Sequence, residues 1–211
     1  AKVAKVLLPK DYLRLWLSGA HVAEMSDAAG TSWLDVGARA WSDDLLEATG
    51  LQRAHMPDLV EGSEPSGMFR RDLAARWGMR ADVVIAGGGG DNAASAIGVG
   101  VVRAGEAFVS LGTSGVLFAA SDAYQPDPAS AVHSFCHAVP QTWHQMGVIL
   151  AASDALSWFG RVLGAAPEDM TSELGPLQAP SSTLFLPYLG GERTPHNDAV
   201  IRASFLNLDH S

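Results

Sequence analysis

An acidic residue that follows four consecutive glycines is the feature of this sequence most suggestive of chemistry. Asp91 comes directly after Gly87–Gly90, and an apolar run typical of a short strand precedes the glycines. Glycines cost chain entropy and add no packing, so bare backbone here indicates the close approach of a ligand or of a second strand. A carboxylate at the start of the following helix is stabilised as an anion by the helix dipole. It could therefore accept a proton from a substrate hydroxyl.

Two other interpretations of this loop have to be weighed. An aspartate is a common helix N-cap, and such a cap contributes about 1 kcal/mol without any chemistry. The spacing of Gly88, Gly90 and Ala93 also matches a loose dinucleotide pattern. There, however, Asp91 would bring a negative charge among the N–H groups that bind pyrophosphate, and the acid about 20 residues on, Glu106, begins a strand. These mismatches disfavour a dinucleotide site.

A second loop offers donors of the kind that hold phosphate. In SLGTSG, Ser110–Gly115, the turn carries two glycines and two hydroxyls between apolar stretches. Turn N–H groups can form a cradle for phosphate oxygens, although an ordinary β-turn explains the same residues equally well. An acid on one loop and a phosphate cradle on another fit transfer of a phosphoryl group to an alcohol. No Walker-type G-x-x-x-x-G-K-[ST] sequence is present, which excludes a P-loop enzyme.

The composition argues against several classes of partner. The 211 residues include 14 Lys and Arg against 23 Asp and Glu, a net charge of −9, which argues against nucleic acid and an anionic membrane surface. No apolar run approaches the roughly 18–20 residues that span a bilayer. The single cysteine, Cys136, excludes an internal disulfide and fits a reducing cytoplasm. His133 and His137 flank it without further ligands, so we expect packing or hydrogen bonding there, and no metal site.

Periodicity predicts the elements that must position the two loops. Helices are expected from Pro9 to a stop at Gly19, over 42–49, 68–77 and 91–99, and around 155–162 with a stop at Gly164. Strands are expected over 82–86 (buried), as a hairpin of 107–111 and 116–120, and as a pair over 132–139 and 143–150. A strand that breaks into a loop is expected over 183–191, whereas 56–67 is expected to be a loop. The pattern of predicted elements changes near 101–106. We take this as a domain boundary between an α/β segment and a β-rich segment.

Three further features receive structural interpretations. Asp27, in SDAAGT, is expected to cap a turn. The loop GERTPH, Gly191–His196, is interpreted as mainly structural. The six tryptophans are assigned to the core, because no basic stripe accompanies them as it would on a stacking platform.

Several segments together resemble the FGGY family of carbohydrate kinases, and within it the xylulose-kinase branch. They are GGGDNAASAIGVG, SLGTSGV, SAVHSFCHAVPQTWH and FLPYLGGERTPH. The resemblance implies an α/β, actin/hexokinase-like (ribonuclease H-like) ATPase fold with ATP and sugar between two domains. Residues 1–104 would be the C-terminal half of the first, sugar-binding domain, and 105–211 the N-terminal half of the second, ATP-binding domain. The family's N-terminal phosphate loop and late adenosine site are absent, so we expect a central piece of a longer chain, inactive alone.

The resemblance also implies the roles of particular residues. Asp91 would be the catalytic base and, with Asn92, would bind the sugar. The residues that would bind ATP are Gly112, Thr113, Ser114, Gly115, Ser153 and Ser157. The reaction would transfer the ATP γ-phosphate to D-xylulose, giving D-xylulose 5-phosphate, with Mg2+ bridging phosphates. A homodimer is left open, as are a kinase of the same family acting on ribulose or glycerol and a non-catalytic nucleotide-binding module.

Overall fold

The computed structural model describes residues 3–172, 174–176 and 179–209. The α-helices are α1 Pro9–Ser18, α2 Met25–Ala28, α3 Asp43–Ala48, α4 Arg71–Trp77, α5 Asp91–Val99, α6 Ser153–Leu163 and α7 Pro167–Ser172. The strands are β1 Val22–Glu24, β2 Leu34–Asp35, β3 Ala40–Trp41, β4 Asp58–Val60, β5 Pro65–Met68, β6 Val84–Ala86, β7 Ala107–Leu111, β8 Gly115–Ser121, β9 His133–Cys136, β10 Trp143–Ile149, β11 Leu184–Leu186 and β12 Ser204–Leu206. Two short 3-10 helices occupy Ala29–Thr31 and Arg53–His55.

The chain divides into two compact units. The first comprises Ala1–Glu106, Ala119–Gln125 and Ser134–Gln145, and the second comprises Ala107–Phe118, Pro126–His133 and Met146–Ser211. Every helix among the described residues is too short or too polar to cross a membrane.

Local capping signals set the bounds of the helices in the first unit. Pro9 stands in the first turn of α1, and Gly19 ends the helix in the left-handed conformation at φ 81°, which glycine adopts without strain. The Ser42 side chain accepts a hydrogen bond from the Leu45 N–H and begins α3. These predictions are confirmed. The helix predicted from Met68 begins three residues later, because Met68 belongs to β5.

The strands between residues 22 and 86 pair in short two-stranded ladders. β1 pairs with β4 in parallel, and β5 pairs with β6 in antiparallel fashion. The prediction that 56–67 is a loop is therefore wrong, because its β4 and the start of β5 find partners elsewhere in the chain. β6 is not buried as predicted, since Val84 is 54% exposed. The described residues pair β6 with β5 alone, so its apolar side chains stay partly uncovered. The main buried cluster includes Leu34, Trp41 and Leu46.

The predicted hairpin and strand pair lie in one four-stranded sheet of order β7-β8-β10-β9. The GTSG turn joins β7 to β8, although β8 starts at Gly115. In the second unit, α6 packs its aromatic face on the β11–β12 ladder. Trp158 stacks on Phe185 at 5.9 Å between ring centroids, and Phe159 contacts Phe205 at 5.8 Å. Gly164 ends α6 in the left-handed region, as predicted.

The tryptophans do not all belong to the core. Trp41 is buried at 6% exposure and donates its indole N–H to the Pro57 carbonyl. Trp16 and Trp77 are 44% and 49% exposed and pack against each other, with ring centroids 5.8 Å apart. The core assignment is thus wrong for these two, because helical periodicity does not reveal which side of a helix is covered.

Candidate functional site

Asp91 is the first residue of α5 and lies exposed at its N-terminus. Its Oδ1 accepts hydrogen bonds from the Asn92 backbone N–H at 2.7 Å and the Asn92 Nδ2 at 3.2 Å. Its Oδ2 has no hydrogen-bond partner among the described residues and is free to face a ligand. The N-cap is Gly90, so the interpretation of Asp91 as an ordinary N-cap is wrong. The two predicted sugar-site residues are thus neighbours in sequence whose side chains are hydrogen-bonded.

The N–H groups of the glycine loop are largely committed to the protein itself. Gly87 donates to the Glu64 carbonyl at 2.8 Å, and Gly88 donates to the Gly62 carbonyl at 2.9 Å. Gly90 donates to the Ser26 hydroxyl at 2.9 Å. Three of the four amides are therefore unable to cradle pyrophosphate, which is incompatible with a dinucleotide loop.

Close packing or backbone conformation accounts for three of the four glycines. A Cβ at Gly87 would collide with the Glu61 carbonyl oxygen, and a Cβ at Gly89 would lie 3.3 Å from the Ala138 Cβ. Gly88 has φ +84°, a conformation that side-chain-bearing residues rarely adopt. The chain's own backbone at 61–62 therefore approaches the glycine loop closely.

A buried arginine fastens the start of the glycine loop. Arg14 of α1 is 6% exposed, and it pairs with Asp11 at 2.8 Å and donates to the Val22 carbonyl at 2.7 Å. It also donates to the Gly87 carbonyl. This role was not predicted from the sequence. The i,i+3 spacing of Asp11 and Arg14 on a helix was the available signal.

A buried carboxylate organises the segment that faces the other end of the loop. Glu24 is fully buried and accepts hydrogen bonds from the Ser26 N–H, the Ser26 hydroxyl and the Asp27 N–H at 2.7–2.9 Å. Lys10 Nζ lies 3.1 Å from Glu24 and 3.4 Å from Asp27. The prediction that Asp27 caps a turn is wrong, because Glu24 caps α2. Burial raises the pKa of the Asp27 carboxyl, and the nearby Lys10 ammonium opposes that rise.

A second ion pair holds the 61–64 turn that receives the glycine amides. Arg39 donates to the two Glu61 carboxylate oxygens at 2.6 and 3.1 Å and to the Thr142 carbonyl at 3.1 Å. Both charged side chains are nearly buried, at 7% and 11% exposure. The guanidinium also lies 5.1 Å from the Trp143 ring centroid. The geometry is bidentate, which makes this pair stronger than an ordinary contact between charges.

His137 and Cys136 of the HSFCH segment are buried in the protein interior. His137 is buried, with Nδ1 accepting from the Val139 N–H at 3.0 Å and Nε2 lying 3.1 Å from the Val101 carbonyl, just beyond α5. Burial lowers the pKa of His137 and raises the pKa of the Cys136 thiol to about 11. Among the described residues no group of three or more His, Cys, Asp or Glu side chains could hold a metal ion.

In the second unit, the GTSG turn is joined to the N-terminus of α6. The Gly112 carbonyl accepts from the Ser153 N–H at 3.0 Å, and the Thr113 carbonyl accepts from the Ala152 and Asp154 N–H groups at 2.9 and 3.3 Å. The Ser153 hydroxyl also donates to the Gly112 carbonyl. The Ser157 hydroxyl donates to the Ser153 carbonyl at 3.2 Å. Four of the six residues predicted to bind ATP are thus connected.

These bonds decide which donors remain for a ligand. The first amides of α6 already satisfy the turn carbonyls, so the helix end is not an open anion site. The N–H groups and hydroxyls of Thr113 and Ser114 are exposed and make no hydrogen bond with the described residues. Gly115 has a packing role, since a Cβ there would lie 2.7 Å from Cγ1 of Ile149. An open apolar pocket of about 500 Å3, lined in part by Leu111, borders the same turn.

The GERTPH loop makes the contacts of a structural brace. Glu192 is 3% exposed and accepts from the Leu150 N–H at 3.0 Å and the Arg193 N–H at 2.8 Å. The Thr194 hydroxyl accepts from the Val148 N–H and donates to the Ala131 carbonyl, both at 3.1 Å. These bonds support the structural interpretation of this loop.

Comparison with known proteins gives matches along nearly the whole chain. Residues 1–98 match the FGGY family of carbohydrate kinases, N-terminal domain, and residues 107–211 match the C-terminal domain of that family. The chain is 50% identical over 211 residues to the xylulose kinase of Escherichia coli (strain K12), covering 99% of this chain and 43% of that relative.

Solved structures agree with these matches. A crystal structure of a "xyloylose kinase" from Brucella ovis is 64% identical with a TM-score of 0.95, and the xylulose kinase from Rhodospirillum rubrum is 25% identical with a TM-score of 0.86. Each alignment covers 99% of this chain and 43% of the solved one. The chain thus spans less than half the length of these relatives. The predicted α/β, actin/hexokinase-like fold class and the family resemblance are confirmed.

Proposed function

Because the chain belongs to the FGGY family of carbohydrate kinases, we propose that the protein containing it transfers the γ-phosphate of ATP to a hydroxyl of D-xylulose. The observation that carries the proposal is the exposed Asp91 carboxylate at the start of α5, on a loop whose backbone is fastened by buried hydrogen bonds. The choice of D-xylulose as the substrate is supported by the 50% identity to the E. coli xylulose kinase.

In this proposal Asp91 is the general base. The proton of the sugar hydroxyl passes to the Asp91 carboxylate while the hydroxyl oxygen bonds to the γ-phosphorus. The bond from that phosphorus to its bridging oxygen breaks, and ADP leaves. Asn92 binds a neighbouring sugar hydroxyl through its side-chain amide. Such a base contributes on the order of 10²- to 10⁴-fold to the rate.

The GTSG turn would supply donors for the phosphate oxygens. The free N–H groups and hydroxyls of Thr113 and Ser114 support this role, because an exposed turn of this kind concentrates donors on one anion. Gly112, Ser153 and Ser157 would act by holding the turn in shape, and Gly115 by letting it pack closely. This division refines the prediction that all six residues bind ATP.

ATP is the proposed phosphoryl donor, and Mg2+ the ion that accompanies it. The described carboxylates and imidazoles form no cluster that would cage a divalent ion. The proposal therefore assigns most of its ligands to phosphate oxygens and water, as is common for Mg2+. We also propose residues 1–104 and 105–211 as parts of a sugar-binding and an ATP-binding domain, and a cytoplasmic location consistent with the single free thiol.

Replacing Asp91 with Asn in the complete protein tests the role of this carboxylate. We expect turnover to fall at least about 100-fold while ATP binding, measured by calorimetry, is kept. Asp44→Asn is the matched control, because Asp44 is also an exposed acid in the first turn of a helix. Unchanged turnover in the Asp91 variant would contradict the proposal.

A panel of ketoses, polyols and aldonates, assayed for ATP consumption, tests the substrate. We expect D-xylulose to give the highest kcat/KM of the panel. A higher value with ribulose, glycerol or gluconate would move the protein to another branch of the family and leave the role of Asp91 intact.

A further inference from the structure

We propose that Ser26 is a positioning residue for Asp91, acting through the backbone amide of Gly90. The proposal rests on the role proposed above for Asp91 as the base. The two residues are 64 positions apart in sequence, yet the Ser26 hydroxyl accepts the Gly90 N–H at 2.9 Å. Gly90 is the N-cap of α5 and directly precedes Asp91.

The Gly90 N–H at the start of α5 needs a hydrogen-bond acceptor from another segment of the chain. Gly90 has no side chain, so it cannot make the N-terminal hydrogen bonds that Ser, Thr, Asp or Asn would make at this position. Its own amide must also be satisfied where the loop is partly buried. Ser26 satisfies it and ties this residue of the loop to α2. Since Asp91 is the next residue, the direction of its Cα–Cβ bond follows the backbone that Ser26 holds.

The Ser26 hydroxyl is itself oriented by the buried Glu24 carboxylate. It donates its single hydrogen to Glu24 Oε2 at 2.8 Å, which leaves an oxygen lone pair to accept the Gly90 N–H. Ser26 is 6% exposed and Glu24 is fully buried. Lys10 Nζ, 3.1 Å from Glu24, compensates its charge. The path from Lys10 through Glu24 and Ser26 to Gly90 therefore has one arrangement of donors and acceptors.

This arrangement suits a base that must meet a hydroxyl at hydrogen-bond distance. Displacing a catalytic group by about 1 Å can cost on the order of 100-fold in rate. Among the described residues the Asp91 side chain makes hydrogen bonds only with its neighbour Asn92, so it receives no other support. Its placement thus depends on the backbone of Gly90.

The test compares Ser26→Ala with Ser42→Ala in the complete protein. Each removes a serine hydroxyl that accepts a backbone N–H, but Ser42 caps α3. We expect Ser26→Ala to lower kcat about 10- to 100-fold and leave the KM for ATP unchanged. Ser42→Ala should leave kcat within about twofold while it lowers the unfolding midpoint. Ser26→Thr keeps the hydroxyl and should retain most of the turnover, and a loss as large as that of Ala would overturn the proposal.

A double-mutant cycle separates positioning from general damage. If Ser26 acts through Asp91, Ser26→Ala should have little further effect on turnover in an Asp91→Asn background, because the group it positions has lost its function. An equal fold-loss in both backgrounds would show a merely structural role and overturn the proposal. Should Ser26→Ala not fold, by circular dichroism, Ser26→Cys replaces it in the same cycle.

The cycle also distinguishes the two proposals. If Asp91→Asn collapses turnover and Ser26→Ala matches the wild type, the positioning proposal alone fails. If Asp91→Asn keeps its turnover, the base assignment fails and the role of Ser26 fails with it.

Discussion

Replacing Gly62 with Ala should destabilise the protein by crowding the loop that carries Asp91. A Cβ at Gly62 would lie 2.6 Å from both the Ala138 and the Gly88 carbonyl oxygens. Both atoms belong to backbone, and each lies about 1 Å inside ordinary van der Waals contact. Relieving these two short contacts must stretch the 2.9 Å hydrogen bond from the Gly88 N–H to the Gly62 carbonyl.

The expected loss combines two contributions. Overpacking of this kind costs about 1–3 kcal/mol, and a lost backbone hydrogen bond costs about 1 kcal/mol more. We therefore expect the free energy of unfolding to fall by about 2–4 kcal/mol, measured by urea denaturation followed by tryptophan fluorescence. Gly98→Ala is the matched control, because Gly98 lies in α5 and the new Cβ would meet no described atom within 4 Å beyond its chain neighbours and its own helix backbone. It should stabilise by up to about 1 kcal/mol through helix propensity. A Gly62 variant within about 0.5 kcal/mol of the wild type would refute the packing argument.

Two further predictions concern buried groups. Arg39→Met should lower the free energy of unfolding by about 3–5 kcal/mol, because it leaves the Glu61 charge buried and unpaired. Arg80→Met, which breaks the exposed pair with Asp82, should change the free energy of unfolding little in the same urea assay, and a loss equal to that of Arg39→Met would contradict the argument. Burial raises the pKa of Cys136 from 9.0 to about 11, so at pH 8 the folded thiol should react with Ellman's reagent about 100-fold or more slowly than in urea-unfolded protein. The folded state favours the protonated thiol, so its stability should decline as pH rises from 9 toward 11, and a Cys136→Ala variant should lack this decline.

Helix ends could be predicted from sequence because their causes are local. Gly19, Gly78 and Gly164 each end a helix in the left-handed conformation, and Ser42 begins one with its own side chain. These signals need only neighbouring residues, so periodicity and capping preferences were sufficient.

The contacts around the glycine loop could not be predicted, because their partners are distant in sequence. Asp91 was singled out from its position, but nothing near it indicates that Ser26 and Gly62 receive the loop amides. The role of Arg14 could not be predicted either, since its acceptors at Val22 and Gly87 become neighbours only on folding. Burial of a polar residue is a property of the whole fold.

The turn of the second unit shows an intermediate case. Its hairpin was predicted from the glycines, whereas its use as a cap for α6 was not. A clue existed, because Ala152 stands at the N-cap of α6 and offers no side-chain acceptor. A helix with such a start needs acceptors from elsewhere, and the carbonyls of Gly112 and Thr113 are those acceptors.

The mutual fit of the 61–64 and 87–90 segments limits how this acid-bearing loop can be transplanted. Each segment contributes a glycine whose missing side chain makes room for the other's backbone, at Gly62 and Gly87. A graft of residues 87–91 alone would arrive in a host without its complementary surface. The 61–64 and 87–90 segments, about 25 residues apart, would therefore have to be transferred together into a designed enzyme.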